Sequence, residues 1–153
     1  MPDSLASQRY FEDVVVGELF EQTRQPTREQ VIAFLDIPGM FDSDRRLVDL
    51  ATARASGFGG PLVPGQMSTL MLTRLVTDWM GPLGRVLSLD VSYRRGVLHD
   101  DVLRCVALVT DVNGEGDYAS TGEGAVHFEV ALENQRGEKP VQGTAVAVIP
   151  RRR

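Results

Sequence analysis

From Arg85 onward the hydrophobic positions repeat every second residue, whereas before it they recur at helical spacing. Leu87, Leu89, Val91 and Tyr93 alternate with Ser88, Asp90, Ser92 and Arg94, which predicts a strand with one buried face. The run over 102–109 is apolar on both faces and predicts a central strand. Val126, Phe128, Val130 and Leu132 alternate with His127, Glu129 and Glu133. The turn Asn134-Gln135-Arg136-Gly137 then leads into a strand over 141–149. Upstream, Met67, Met71, Leu75 and Trp79 form one i, i+4 row, and Leu72, Val76 and Met80 form the next. The spacing predicts a helix over 65–80, about 24 Å long and largely buried. Its methionines read as core filling rather than as a binding groove.

Shorter elements precede that helix. Thr27-Arg28-Glu29-Gln30 has the form of a capping box, and the helix it opens carries Val31, Ile32, Phe34 and Leu35 and stops by Pro38. A second short helix is expected over 49–56, with Gly57 as its left-handed stop. Residues 18–23 suit an edge strand. The whole order implies an α+β domain over 10–150 in which one antiparallel sheet wraps around a long central helix. Residues 1–9 read as a loose N-terminus and 151–153 as a solvated basic tail.

Composition narrows the function classes. The chain has 153 residues and a formal net charge of -5, which disfavours non-specific binding to nucleic acid. Cys105 is the only cysteine, so an intrachain disulfide, a cysteine zinc site and a thiol pair are all excluded. It lies in an apolar run and reads as a small buried hydrophobe. No metal site or cofactor is expected. The first residues lack the basic-then-apolar pattern of a signal peptide, and no apolar stretch approaches the roughly 20 residues that span a bilayer. The expectation is a cytoplasmic protein.

The densest local signal is Gly57-Phe58-Gly59-Gly60-Pro61-Leu62-Val63-Pro64-Gly65-Gln66-Met67, a glycine-rich turn opening into the long helix. Pro64 suits a helix start, and Gly65 follows it into the first turn, where backbone amides lack intrahelical partners and the dipole is positive. A polarised carbonyl or an anion suits that position; a tight loop that only positions a core helix has the same residues.

On these residues the chain resembles the MaoC-like hot-dog dehydratases and (R)-specific enoyl-CoA hydratases. The similarity runs from the Tyr10-Phe11-Glu12-Asp13 to Gly17 opening, through the 27–35 helix, to Ala53–Met67. That last segment matches the family's Ala-x-x-x-Gly-Phe-x-x-Pro-Ile-x-His-Gly-Met. Tyr93–Leu103 is similar to the family segment ending Gly-Asp-Thr-Leu, with Asp101 on the aspartate. The family's active site has the form Asp-x-Asn-Pro-x-His-x-Asp. Here Asp42 falls on the first aspartate, Asp44 on the asparagine, Arg45 on the proline, Leu47 on the histidine and Asp49 on the second aspartate. Pro64 replaces the histidine before the helix glycine. Leucine carries no proton, so the family's Asp/His dyad is degenerate.

The resemblance implies a single hot-dog domain that binds an acyl-CoA or acyl-carrier thioester and forms a homodimer, or a heterodimer with another hot-dog chain. It implies Asp42 and Asp44 as catalytic candidates, with Phe58, Val63, Gly65, Gln66 and Met67 against the substrate. Two carboxylates two residues apart can share a proton, or can form an acidic turn held by Arg45 and Arg46. Three functions stay open: hydration or dehydration of enoyl thioesters, a non-catalytic subunit paired with an active chain, and specialised lyase or isomerase chemistry. The only histidines, His99 and His127, read respectively as exposed in a polar turn and outward on a strand.

Overall fold

The computed structural model describes residues 7–37 and 44–153. Five strands form one antiparallel sheet: β1 (Leu19–Arg24), β2 (Arg85–Tyr93), β3 (Leu103–Asn113), β4 (Glu123–Glu133) and β5 (Val141–Pro150), in the order β1-β3-β4-β5-β2. Three helices accompany them: α1 (Arg28–Leu35), α2 (Leu50–Ala55) and α3 (Gly65–Met80). The sheet curls around α3, whose bounds are those its periodicity predicts. The hot-dog arrangement is therefore observed, with β1 and β2 as its two edges. Among the described residues, no helix is long and apolar enough to cross a membrane.

Local chemistry accounts for most boundaries. Thr27 accepts from the Gln30 amide while the Gln30 side chain accepts from the Thr27 amide, so the capping box forms as expected. Asp49 caps α2 through the Thr52 amide. Gly57 follows at φ +90°, a conformation that costs glycine little. Asp100 sits at φ 64°, the non-glycine residue with positive φ among the described residues. It occupies the glycine position of the Gly-Asp-Thr-Leu resemblance, and an aspartate is one of the few side chains that tolerate this region.

The core lies between α3 and the concave face of the sheet. Leu72, Leu75, Val76, Trp79 and Met80 meet Cys105, Ala107, Val126, Phe128, Leu132 and Ala145 there. Phe20 stacks on Trp79 with ring centroids 5.0 Å apart, and Phe128 meets Trp79 edge-on at 5.2 Å. Cys105 is buried as expected, and burial pushes its thiol up to about 11.

Several expectations change. The strand over 102–109 is not buried on both faces: Leu103, Cys105, Ala107 and Val109 point into the core, while Arg104 is exposed. A register shift between Val86 and Ser88 turns Leu87 outward, 40% exposed, so Val86, Leu89 and Val91 make the inward row of β2. Arg9, Arg151 and Arg152, outside the bounds of the domain, make specific contacts. Arg9 donates its amide to the Met80 carbonyl and its guanidinium to Glu18, and stands over the Trp79 ring. Arg152 makes a two-pronged pair with Asp13 at 2.7 and 2.8 Å, and Arg151 packs over Phe11 while donating to the Gly114 carbonyl.

Candidate active site at the mouth of the central helix

Three short segments stack at the N-terminal end of α3. The Leu62 amide donates to the Arg46 carbonyl at 2.9 Å, and the Val63 amide to the Val97 carbonyl at 2.7 Å. The His99 amide donates to the Pro61 carbonyl at 3.1 Å, and Leu62 pairs with Leu98 across an isolated bridge. The glycine loop is thus clamped between the turn over 45–47 and the strap over 97–99. This fixes where the chain enters α3.

At that entry the amides of Gly65 and Gln66 donate to no described residue, whereas the Met67 amide already reaches the Pro64 carbonyl. The two free donors lie at the positive end of a 16-residue helix. The absence of a side chain at Gly65 also admits a close neighbour. A Cβ there would lie 3.1 Å from the Tyr93 ring, whose hydroxyl bonds the Gly65 carbonyl at 3.1 Å and also Thr69. Tyr93 is therefore not an inward member of the β2 row: it is 54% exposed and stands beside the first turn. The ring therefore stands against the first turn of α3. Nothing in the strand alternation signals this contact.

The other substrate-side candidates scatter. Gln66 is exposed and Met67 is half-buried on the same turn, but Val63 is buried in the core. Phe58 packs on Gly96, where an added Cβ would meet its ring at 3.2 Å. Of the five, Gly65, Gln66 and Met67 form one contiguous surface.

Of the acidic candidates, Asp42 lies outside the described residues. Asp44 is engaged by Arg46: the guanidinium reaches its two oxygens at 2.9 and 2.7 Å, and the Arg46 amide adds a third bond. The Arg46 side-chain bond leads the causes that hold its carboxyl below the usual range. Asp49 is likewise held low, chiefly by the Thr52 hydroxyl and then by the Thr52 amide. Leu47, on the histidine position of the resemblance, is buried at 6% exposure.

His99 departs most from expectation. It is half-buried rather than exposed, and its Nε2 is sealed from solvent with no hydrogen-bond partner among the described residues. Burial lowers its basicity; the nearby Leu47 and Leu62 backbone and the Asp100 carboxylate oppose that, and Arg28 adds to it. An imidazole held below its ordinary 6.5 binds its proton more readily in the unfolded chain. Its share of stability is present above 6.5 and is lost as pH falls through the lower folded value. Urea midpoints taken from pH 7.5 downward should therefore fall in wild type, with His99→Gln flattening the upper part of the decline. Superimposable profiles for the two proteins would refute the burial argument. His127 is half-buried between the core residues Val126 and Phe128.

A five-stranded sheet curled around α3 is the fold of the hot-dog hydratases and dehydratases. The chain is similar to the "(R)-hydratase from A. caviae involved in PHA biosynthesis", at 21% identity and a TM-score of 0.76 over 91% of this chain and 99% of that one. A MaoC-like dehydratase from Rhodospirillum rubrum matches at 24% identity and a TM-score of 0.77, over 95% of this chain and 99% of that one. The ChsH1-ChsH2 complex from Mycobacterium tuberculosis matches at 21% identity and 0.71, over 88% and 98%. No protein-family model and no curated relative matches the chain.

Proposed function

We propose that the chain is an acyl-thioester protein of the hydratase/dehydratase type, receiving the thioester oxygen on the Gly65 and Gln66 amides. The observation that carries this reading is that pair of amides, without an acceptor among the described residues, in the first turn of the central helix. Hydration of an enoyl thioester adds water oxygen to the β-carbon and a proton to the α-carbon, passing through an enolate whose oxygen gathers negative charge. Donors fixed in place before that charge develops stabilise it without reorganisation. Asp42 is the acid/base candidate under this reading. Asp44, ionised and bound to Arg46, is better suited to holding the turn over 45–47 than to delivering a proton.

A second reading, a non-catalytic subunit paired with an active hot-dog chain, is favoured by a separate observation. Leu47 is buried hydrocarbon, Asp44 is bound to Arg46 and Asp49 caps α2, so none of the three is free to move a proton. The likeness to a two-chain complex supports this reading. In either case β2 leaves one edge of the sheet without a neighbouring strand, which suits pairing with a second hot-dog chain.

Titration of isotopically labelled protein with crotonyl-CoA and longer enoyl-CoAs tests the shared element. The Gly65 and Gln66 amide resonances should move, and loss of enoyl absorbance should follow if the chain is itself active. Movement without turnover, with turnover restored by an active partner chain, selects the subunit reading. Resonances that stay fixed at every chain length overturn both.

A further inference from the structure

One row of α3 serves the core only in part. Met67, Leu70, Met71 and Arg74 follow i, i+3, i+4, i+7 spacing and share a face of the helix. Opposite them stand Gln30 and Phe34, one turn apart on α1, and the floor is the end of β1 running into Pro26. Together they enclose an open cavity of about 570 Å³, a size suited to a small-molecule ligand. Its walls are largely hydrocarbon, and Leu70 is 55% exposed within it. The methionine face expected to fill the core instead lines a groove, with Met67 and Met71 packing against the core only in part.

The two ends of this groove differ. Met67, on the first turn of α3, marks one end beside the Gly65 and Gln66 amides. At the other end Arg24 and Arg74 converge on a single carboxylate: Arg74 Nε lies 2.8 and 3.0 Å from the Asp78 oxygens, and Arg24 lies 4.0 Å from the same group. Arg24 also donates to Gln22, and Gln22 to Asp78. Two guanidinium ions share one carboxylate, which leaves a net positive charge and, among the described residues, uncommitted donors on Arg74 beyond its Nε. From Gly65 to Arg74 is about 13 Å along the helix, near the span of an extended acyl chain of about ten carbons.

We infer that this groove takes an acyl chain ending in a carboxylate, its hydrocarbon against Met67, Leu70 and Met71 and its far anion on Arg24 and Arg74. The inference rests on the thioester reading above and names the substrate class for it: a dicarboxylic acyl thioester. A planar guanidinium suits a terminal carboxylate because it donates through two parallel bonds.

Calorimetry with decanoyl-CoA and with the CoA monothioester of decanedioic acid tests it, using the full chain. The ω-carboxylated thioester should bind roughly tenfold more tightly, the effect of one charge-assisted bond. Arg74→Gln should abolish that preference, so that the two thioesters bind alike. Equal affinity for wild type overturns this inference while leaving the thioester reading intact. If neither thioester binds, the thioester reading fails and carries this one with it. A change of sedimentation mass in Arg74→Gln would also overturn it, by showing that a second chain covers the groove.

Discussion

Trp79→Ala is expected to cost about 3–5 kcal/mol of folding stability, at the upper end for truncation of a buried aromatic. The indole stacks on Phe20, meets Phe128 edge-on, donates from Nε1 to Glu18 at 3.1 Å and carries the Arg9 guanidinium above its ring. Removing it leaves a void between α3 and the sheet at the place where β1, β4 and the N-terminal segment come together. It also deprives Glu18 of one donor. Urea unfolding followed by circular dichroism measures the loss, and the denaturant slope should hold if the native state stays compact. A cost under about 1.5 kcal/mol would mean that the ring is replaceable and that the aromatic cluster does not fix the seating of α3.

The second large effect is expected at Asp101, whose side chain is 3% exposed. One oxygen accepts from the Leu98 amide at 2.9 Å; the other accepts from Gln135 at 2.9 Å and from Arg136 at 3.2 Å. The carboxylate therefore ties the strap over 97–99 to the turn between β4 and β5. Asp101→Ala leaves those donors without their acceptor and should cost about 3 kcal/mol. Asp101→Asn should fall between, because its amide keeps one acceptor but turns a donor toward others. The strap clamps the glycine loop, so under the proposed thioester reading the alanine variant should bind thioester more weakly than its stability alone predicts. Affinity measured well below the melting range tests this, and unchanged affinity in a destabilised protein would show that the loop holds its shape without the strap.

How much of this was legible beforehand depends on how local the cause is. The bounds of α3, the capping box at Thr27 and Gln30, the stop at Gly57 and the turn before β5 all follow from contacts within a few residues. In β2, Leu89 and Val91 face inward as their alternation predicts, but Leu87 does not, because the bulge beside it is a property of pairing with β5 that the β2 sequence alone does not contain. His99 looked like a loop residue between two aspartates. It becomes half-buried because the turn over 45–47, fifty residues upstream, lies close to its ring. The terminal arginines, of which Arg152 and Arg153 are exposed, have nothing acidic near them in sequence. Their partners, Glu12 and Asp13, are at the other end of the chain.

By itself the sequence determined an α+β domain with one long helix and a glycine-rich approach to that helix. Those are consequences of period and backbone freedom, each readable one residue at a time. Only the tertiary structure decided that Tyr93 lies beside Gly65, that Asp44 is held by Arg46, and that Arg24 and Arg74 close the end of an apolar groove. Each of these depends on where a side chain points once the sheet has curled around α3. That direction is set by register and packing between distant segments, which no local pattern of residues encodes.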